Sequence, residues 1–222
     1  MKSMFLAAAA LLLTATLAAC AEGGGGAVTN APAATTAPTP ATPAATVAAA
    51  STLPPAPIPE YKVGDEFVFG VATVEDTQRV ISVSGTEAVF ESRIFGTMNQ
   101  PKAFTIPAKW TGSNLALPNE ATITEGDLST IFPLQVGKTS EARGRGLFGG
   151  NRLDVYIRCE VVSVQNIAVP AGRFDTFLVD CNYRHANGDI RYVYWYAPQV
   201  GHWVRVIRGN SAAHELKSYK RA

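Results

Sequence analysis

"RLDVYIRCEVVSVQNIAVPAGRFDTFLVDCNYR", residues 152–184, decides the fold. In its first half apolar side chains recur at every second residue: Leu153, Val155, Ile157, Cys159 and Val161. Its second half repeats the pattern at Phe177, Val179, Cys181 and Tyr183. Successive side chains of a strand point to opposite sides, so a period of two marks a strand with one buried face. Between the halves lies "VPAGRF", residues 169–174. Proline removes a backbone donor and glycine tolerates unusual φ, so the chain bends back at Pro170, Ala171 and Gly172. Pairing Val169 with Arg173 sets Cys159 opposite Tyr183 and Cys181 opposite Val161. The two cysteines are then diagonal neighbours on one face, and a small bulge brings them within bonding reach.

Outward from this hairpin the same texture continues. "EFVFGVA" puts Phe67, Phe69 and Val71 on one face, and "RVISVSGTEAVFESRIF" is two β-rich runs joined at Ser84-Gly85. On the C-terminal side come "IRYVYWYA", "HWVRVIR" and "AAHELKSY", after a second hairpin signal at Asn187-Gly188. No long run has a period of 3.6, and residues 120–131 have room for one or two helical turns at most. Residues 60–222, roughly 160 in number, suffice for one domain with its own core. The expectation is an all-β domain: a strongly curved antiparallel sheet or open barrel. Several strands are apolar on both faces, so something must cover the second face.

Before Glu60 the texture changes. From Gly23 to Pro59 there is no charged residue, only a stretch rich in alanine, proline, threonine and glycine. Scattered prolines prevent a helix, and there is almost nothing large to bury. Residues 20–59 read as a disordered tether, and the uncharged part from Gly23 to Pro59 alone has a reach between roughly 35 Å as a coil and 115 Å as polyproline II. Residues 1–19 carry one charge, Lys2, and an apolar run from Met4 to Ala19 broken by two threonines. That run is short of the ~20 residues a spanning helix needs, so it reads as an export signal. Without it, basic and acidic residues balance at 18 each. Balanced charge offers no general attraction to nucleic acid.

Leu17-Ala18-Ala19-Cys20 resembles the lipobox of bacterial lipoprotein precursors. The resemblance implies a diacylglycerol on Cys20, cleavage just before it, and a lipid anchor in the membrane. Ala21 follows, not aspartate, which by the same resemblance implies the outer membrane, on its periplasmic side. "VPAGRFDTFLVDC", "YWYAPQVGHWVRV" and "HELKSY" resemble a second group, uncharacterised envelope proteins of the domain-of-unknown-function 3108 type, over Val169 to Tyr219. That resemblance implies an exported, β-rich, non-catalytic fold and assigns no site residue.

Few residues nominate a chemistry. Cys159 and Cys181 suit a structural disulfide in an oxidising compartment, since they lack the Cys-x-x-Cys spacing of a redox pair. Gly144-x-Gly146-x-x-Gly149 matches a dinucleotide fingerprint in form, but no helix follows it, and it reads as a mobile loop. His185, His202 and His214 have no metal-ligand spacing and read as exposed loop-end residues, so no metal and no cofactor is expected. No serine sits in a Gly-x-Ser-x-Gly elbow, and Asp175 and Asp180 differ in strand parity. The most distinctive surface is the last hairpin: Tyr192, Tyr194 and Tyr196 on one strand face, with Trp203 and Arg205 on the next strand. Such residues stack on sugar rings, grip a partner protein, or fill a core.

These readings converge on a lipid-anchored envelope protein, not an enzyme, with a β domain for binding or structure. Its partner would be another envelope protein or the cell wall. A carrier of an apolar ligand in a curved-sheet cavity is the alternative, and an enzyme the third. A large apolar cavity would mark the carrier, a filled core the binding module, and a polar cleft of converging titratable groups the enzyme.

Overall fold

The structure, a computed structural model, describes residues 53–103, 109–111, 119–148 and 151–222. The export signal, Cys20 and most of the tether lie outside them. The described residues form twelve strands: β1 (Glu66–Val71), β2 (Val74–Ser84), β3 (Glu87–Ser92), β4 (Gly96–Pro101), β5 (Lys109–Thr111), β6 (Asn119–Gly126), β7 (Thr139–Phe148), β8 (Asn151–Val169), β9 (Gly172–His185), β10 (Gly188–Ala197), β11 (His202–Arg208) and β12 (His214–Lys220). Each pairs antiparallel with the next, and β1 also pairs with β12, so the pairings run full circle. The wall is thin in two places. β11 and β12 share two residue pairs, Arg205 with Glu215 and Val206 with His214, and β5 is three residues long. The expected all-β, strongly curved antiparallel sheet is what forms. A single 3-10 turn, Leu128–Ile131, falls at the end of the stretch where one or two helical turns had room.

The defining hairpin is β8–β9. Its turn is two residues, Pro170 and Ala171, because Val169 pairs with Gly172 rather than Arg173. One further register shift, between Val161 and Ser163, leaves Cys159 directly opposite Cys181. The cysteines are joined by a disulfide. The hairpins expected at Ser84-Gly85 and Asn187-Gly188 are both present, closing Ser84 on Glu87 and His185 on Gly188.

Two apolar cores lie on opposite faces of the central strands. On one face of β9 and β10, Phe177, Val179, Tyr194 and Tyr196 meet Ile131, Phe132 and Leu134. On the other face Phe174, Trp195 and Ala197 meet Phe67, Phe69, Phe90 and Leu216. This second core is what covers the second apolar face. Packing also begins before Glu60: Ala56 and Leu134 exchange two backbone hydrogen bonds, at 3.1 and 2.7 Å, and Ala56 is 2% exposed. The domain thus takes in residues that the composition assigned to the tether.

The glycine-rich motif is the clearest departure from expectation. Residues 139–148 are strand β7, not a loop. Arg143 and Arg145 face out, while Ala142, Gly144 and Gly146 face in and are buried. A register shift in β6 between Ile123 and Glu125 drives that strand close to β7. A Cβ built on Gly144 would stand 2.5 Å from the Thr122 carbonyl oxygen, a backbone atom that cannot swing aside. Overpacking of this kind costs about 1–3 kcal/mol. Gly144→Ala should therefore lower the unfolding free energy in urea by that amount, with a lower midpoint, and an unchanged midpoint would show that β6 and β7 have slack.

Candidate functional site

Tyr194, Tyr196 and Trp203 are 2%, 3% and 6% exposed, so of the two readings of this aromatic face, partner surface or core, the core is what forms. The rings form a ladder across the first core. Tyr183 meets Tyr192 edge-on at 4.9 Å between centroids, and Tyr192 stacks on Tyr194 at 5.9 Å. Tyr194 and Tyr196 flank Trp203 at 4.8 and 5.4 Å, and Phe132 closes the row on Tyr196. Tyr192, half-buried, is the outer rung, with the Arg208 guanidinium 5.8 Å from its ring. Burial raises the pKa of Tyr192, and pushes that of Tyr196 up to about 12.

Trp203 and Arg205 do not share a face. Tyr196 pairs with Trp203 and Trp195 with Arg205, so Val204 is an extra residue in β11 and inverts the alternation. Arg205 instead lies over Trp195 in the second core, 5.5 Å from its ring. It donates to Glu215 at 2.8 Å and to the Ala168 carbonyl at 2.9 Å, bracing three strands. Trp195 donates to Gln165 at 2.9 Å.

His202 is not a loop-end residue. It is 2% exposed and stacked on Phe67 at 4.1 Å. The Tyr61 hydroxyl lies 2.8 Å from its Nδ1. Burial lowers the His202 pKa to about 3, helped by the Arg221 charge, so the imidazole is neutral and its Nδ1 shares a hydrogen bond with the phenol. Burial holds the Tyr61 phenol well above its usual value. Arg221 forms a clasp over this pair: its guanidinium lies 5.9 Å from the Tyr61 ring and 5.8 Å from that of Phe67. It donates to the Val200 and Glu60 carbonyls and pairs with the fully buried Asp65 at 3.2 Å. His185 and His214 are half-buried.

A second buried carboxylate, Asp76, accepts from Gln78 at 2.8 Å, Ser92 at 2.7 Å and the Ile94 amide at 3.0 Å. The Ser92 hydroxyl is thus spent on a carboxylate, not on an imidazole that would activate it. Asp175 and Asp180 are bonded separately, to Asn166 and Arg191. Among the described residues no group of three His, Cys, Asp or Glu is placed to hold a metal ion. A shallow polar groove of about 400 Å³ crosses the outside of β6 to β9.

No protein-family model matches the chain, and no curated protein does. Among solved structures it is similar to the hypothetical lipoprotein YmcC from Escherichia coli K12. The TM-score is 0.51 at 7% identity, over 77% of this chain and 90% of that one. It is also similar to a protein from Bacteroides fragilis described as exported, with a YmcC-like fold (TM-score 0.44, 19% identity, 75% of this chain, 100% of that one). A third is a protein from Parabacteroides distasonis described as a lipoprotein (TM-score 0.42, 16% identity, 76% of this chain, 100% of that one). What the first likeness shows is a shared fold. The resemblance to the domain-of-unknown-function 3108 type rests on the turns in Val169–Tyr219 alone.

Proposed function

We propose that the chain is a lipid-anchored protein of the outer membrane, facing the periplasm, whose β domain is a non-catalytic binding or structural module. The observation that carries the module reading is the filled interior. Phe67, Phe90, Phe177, Ile131, Leu134 and Leu216 are fully buried in two cores, one on each face of the central strands. A carrier of apolar molecules needs a hollow there, and these side chains occupy it. The buried ionisable groups are spent on internal hydrogen bonds, which leaves the outer wall as the working surface. The anchor reading is supported by the export signal and by Cys20 at its end. The YmcC protein that shares the fold is itself described as a hypothetical lipoprotein.

Cys20 tests the anchor. Several acyl chains hold a protein on a bilayer, at ~0.8 kcal/mol for each buried methylene, whereas a thiol alone does not. Cys20→Ser should move the protein from the membrane fraction to the soluble one or leave an unprocessed precursor. Intact mass of the wild-type protein should show the acyl groups. An unmodified Cys20 in membrane-bound protein would end the anchor reading.

A further inference from the structure

The groove across β6 to β9 is built from one cross-strand row. Glu125 pairs with Arg143, Arg143 with Tyr156, Tyr156 with Arg184, and Arg184 with Asp189, each on the next strand. Two arginines therefore flank one tyrosine. At the spacing of neighbouring strands their Cα atoms are about 10 Å apart. Arg145 and Asp154 complete the rim. The Arg143 guanidinium lies 6.0 Å from the tyrosine ring, and the neighbouring Glu141 carboxylate raises the pKa of its hydroxyl. Between Arg143 and Arg145 the backbone of Gly144 forms part of the floor.

The flanking arginines are loosely engaged. Arg143 touches Glu125 through one nitrogen at 3.3 Å, and Arg184 touches Asp189 at 3.6 Å. By contrast Arg191 grips Asp180 with two nitrogens at 2.6–3.0 Å. Exposed pairs such as the first two are worth about 0–1 kcal/mol, so exchanging the carboxylate for another anion costs little. Each guanidinium keeps most of its five donors for that anion.

We propose that this groove binds a zwitterionic phosphodiester, its phosphate bracketed by Arg143 and Arg184 over Tyr156. Two forks on opposite sides suit a tetrahedral anion, whose two non-bridging oxygens diverge; the coplanar oxygens of a carboxylate match one fork. Arg143, Arg145 and Arg184 line the groove together with Glu125 and Asp154, so it presents both signs of charge, as a zwitterion requires. When Arg143 turns to the phosphate it leaves Glu125 without its cation, and an ammonium on the ligand replaces it. The headgroup of an aminophospholipid and a free amino-alcohol diester share this chemistry. The inference needs neither the anchor nor a protein partner, so its failure would leave the proposed function standing.

The test is calorimetric titration of the full chain carrying Cys20→Ser with glycerophosphoethanolamine, glycerophosphoglycerol and inorganic phosphate. Saturable binding of the ethanolamine ester is expected, tighter than that of the glycerol ester. The double variant Arg143→Gln/Arg184→Gln should weaken it at least tenfold with an unchanged melting temperature. Glu125→Gln should weaken the ethanolamine ester and spare the glycerol ester. Vesicles of phosphatidylethanolamine and phosphatidylglycerol separate the sources. Retention on the former, lost in the double variant, assigns a lipid headgroup, and binding of the soluble ester without retention assigns a free ligand. Absence of saturable binding overturns the proposal, as does wild-type affinity in the double variant or inorganic phosphate binding as tightly as the ester.

Discussion

Replacing Cys159 and Cys181 together by serine is expected to cost the domain about 3 kcal/mol. The bridge spans a sequence separation of 22 residues. In the chain-entropy model, closing a loop of that size removes unfolded-state freedom worth roughly 3 kcal/mol. For a domain of this length that is a fall in melting temperature of roughly 6–12 °C. The side chains are 1% and 0% exposed at the centre of the first core, beside Tyr192 on the next strand. Burial adds to the cost, since serine puts two hydroxyls among apolar neighbours, so the double alanine variant should lose somewhat less. A bridge this enclosed should also resist mild thiols until the domain unfolds. Urea unfolding under oxidising conditions and peptide mapping without reductant measure both claims. Equal stability of the double serine variant and wild type would refute the structural role, and rapid reduction in the folded state would point to a reactive pair.

Acid should weaken the domain through His202. In the unfolded chain this histidine takes up a proton near pH 6.5, whereas in the fold it stays neutral down to about pH 3. Between those values unfolding binds a proton, so stability rises with pH and is lost as pH falls. The loss is about 1.4 kcal/mol for each pH unit in that window. The groups facing the imidazole are the Tyr61 phenol, the Arg221 guanidinium and the rings of Phe67, Phe69 and Phe90. None of them offers an anion to stabilise an imidazolium. His202→Gln removes the titration. Carboxylates titrate in both proteins, so the difference is what counts: from pH 6.5 to 4.5 wild type should lose roughly 2.3 kcal/mol more than the variant, the unfolded imidazole being half protonated at the start. Parallel stability profiles would show that His202 takes up its proton without leaving its site.

The sheet was legible because its pattern is local. Alternation in residues 153–161 and 177–183 names the buried face of β8 and β9 without knowledge of any partner. The disulfide was legible for the same reason, although a two-residue turn and one bulge make the cysteines direct rather than diagonal partners. What the sequence concealed depends on distant contacts. His202 follows a turn and reads as exposed, but Tyr61, 141 residues earlier, closes over it. Arg205 was placed beside Trp203 by strict alternation, which one extra residue, Val204, undoes. The three tyrosines of β10 give the same pattern whether their face meets water or the 3-10 turn and Phe132. Gly144 and Gly146 read as a loop because glycine usually weakens a strand. Here the close approach of β6 leaves no space for anything larger at Gly144.

The clasp at Arg221 also governs when the molecule can become itself. It ties Glu60 to Arg221 across 161 residues and Asp65 to Ala222 across 157, alongside the pairing of β1 with β12. None of these contacts exists until residues 214–222 have emerged. A chain that is made from its N-terminus therefore carries Phe67, Phe69 and Phe90 only partly covered until β12 is present. Their partner Leu216 and the Arg221 cap lie more than 120 residues further along the chain. Closure joins strands of high sequence separation, and so is slow, and until then the edge of β1 that β12 will cover is exposed to aggregation. The same geometry that completes the ring makes the domain a late and all-or-none acquisition, dependent on whatever keeps its first half apart from its neighbours until then.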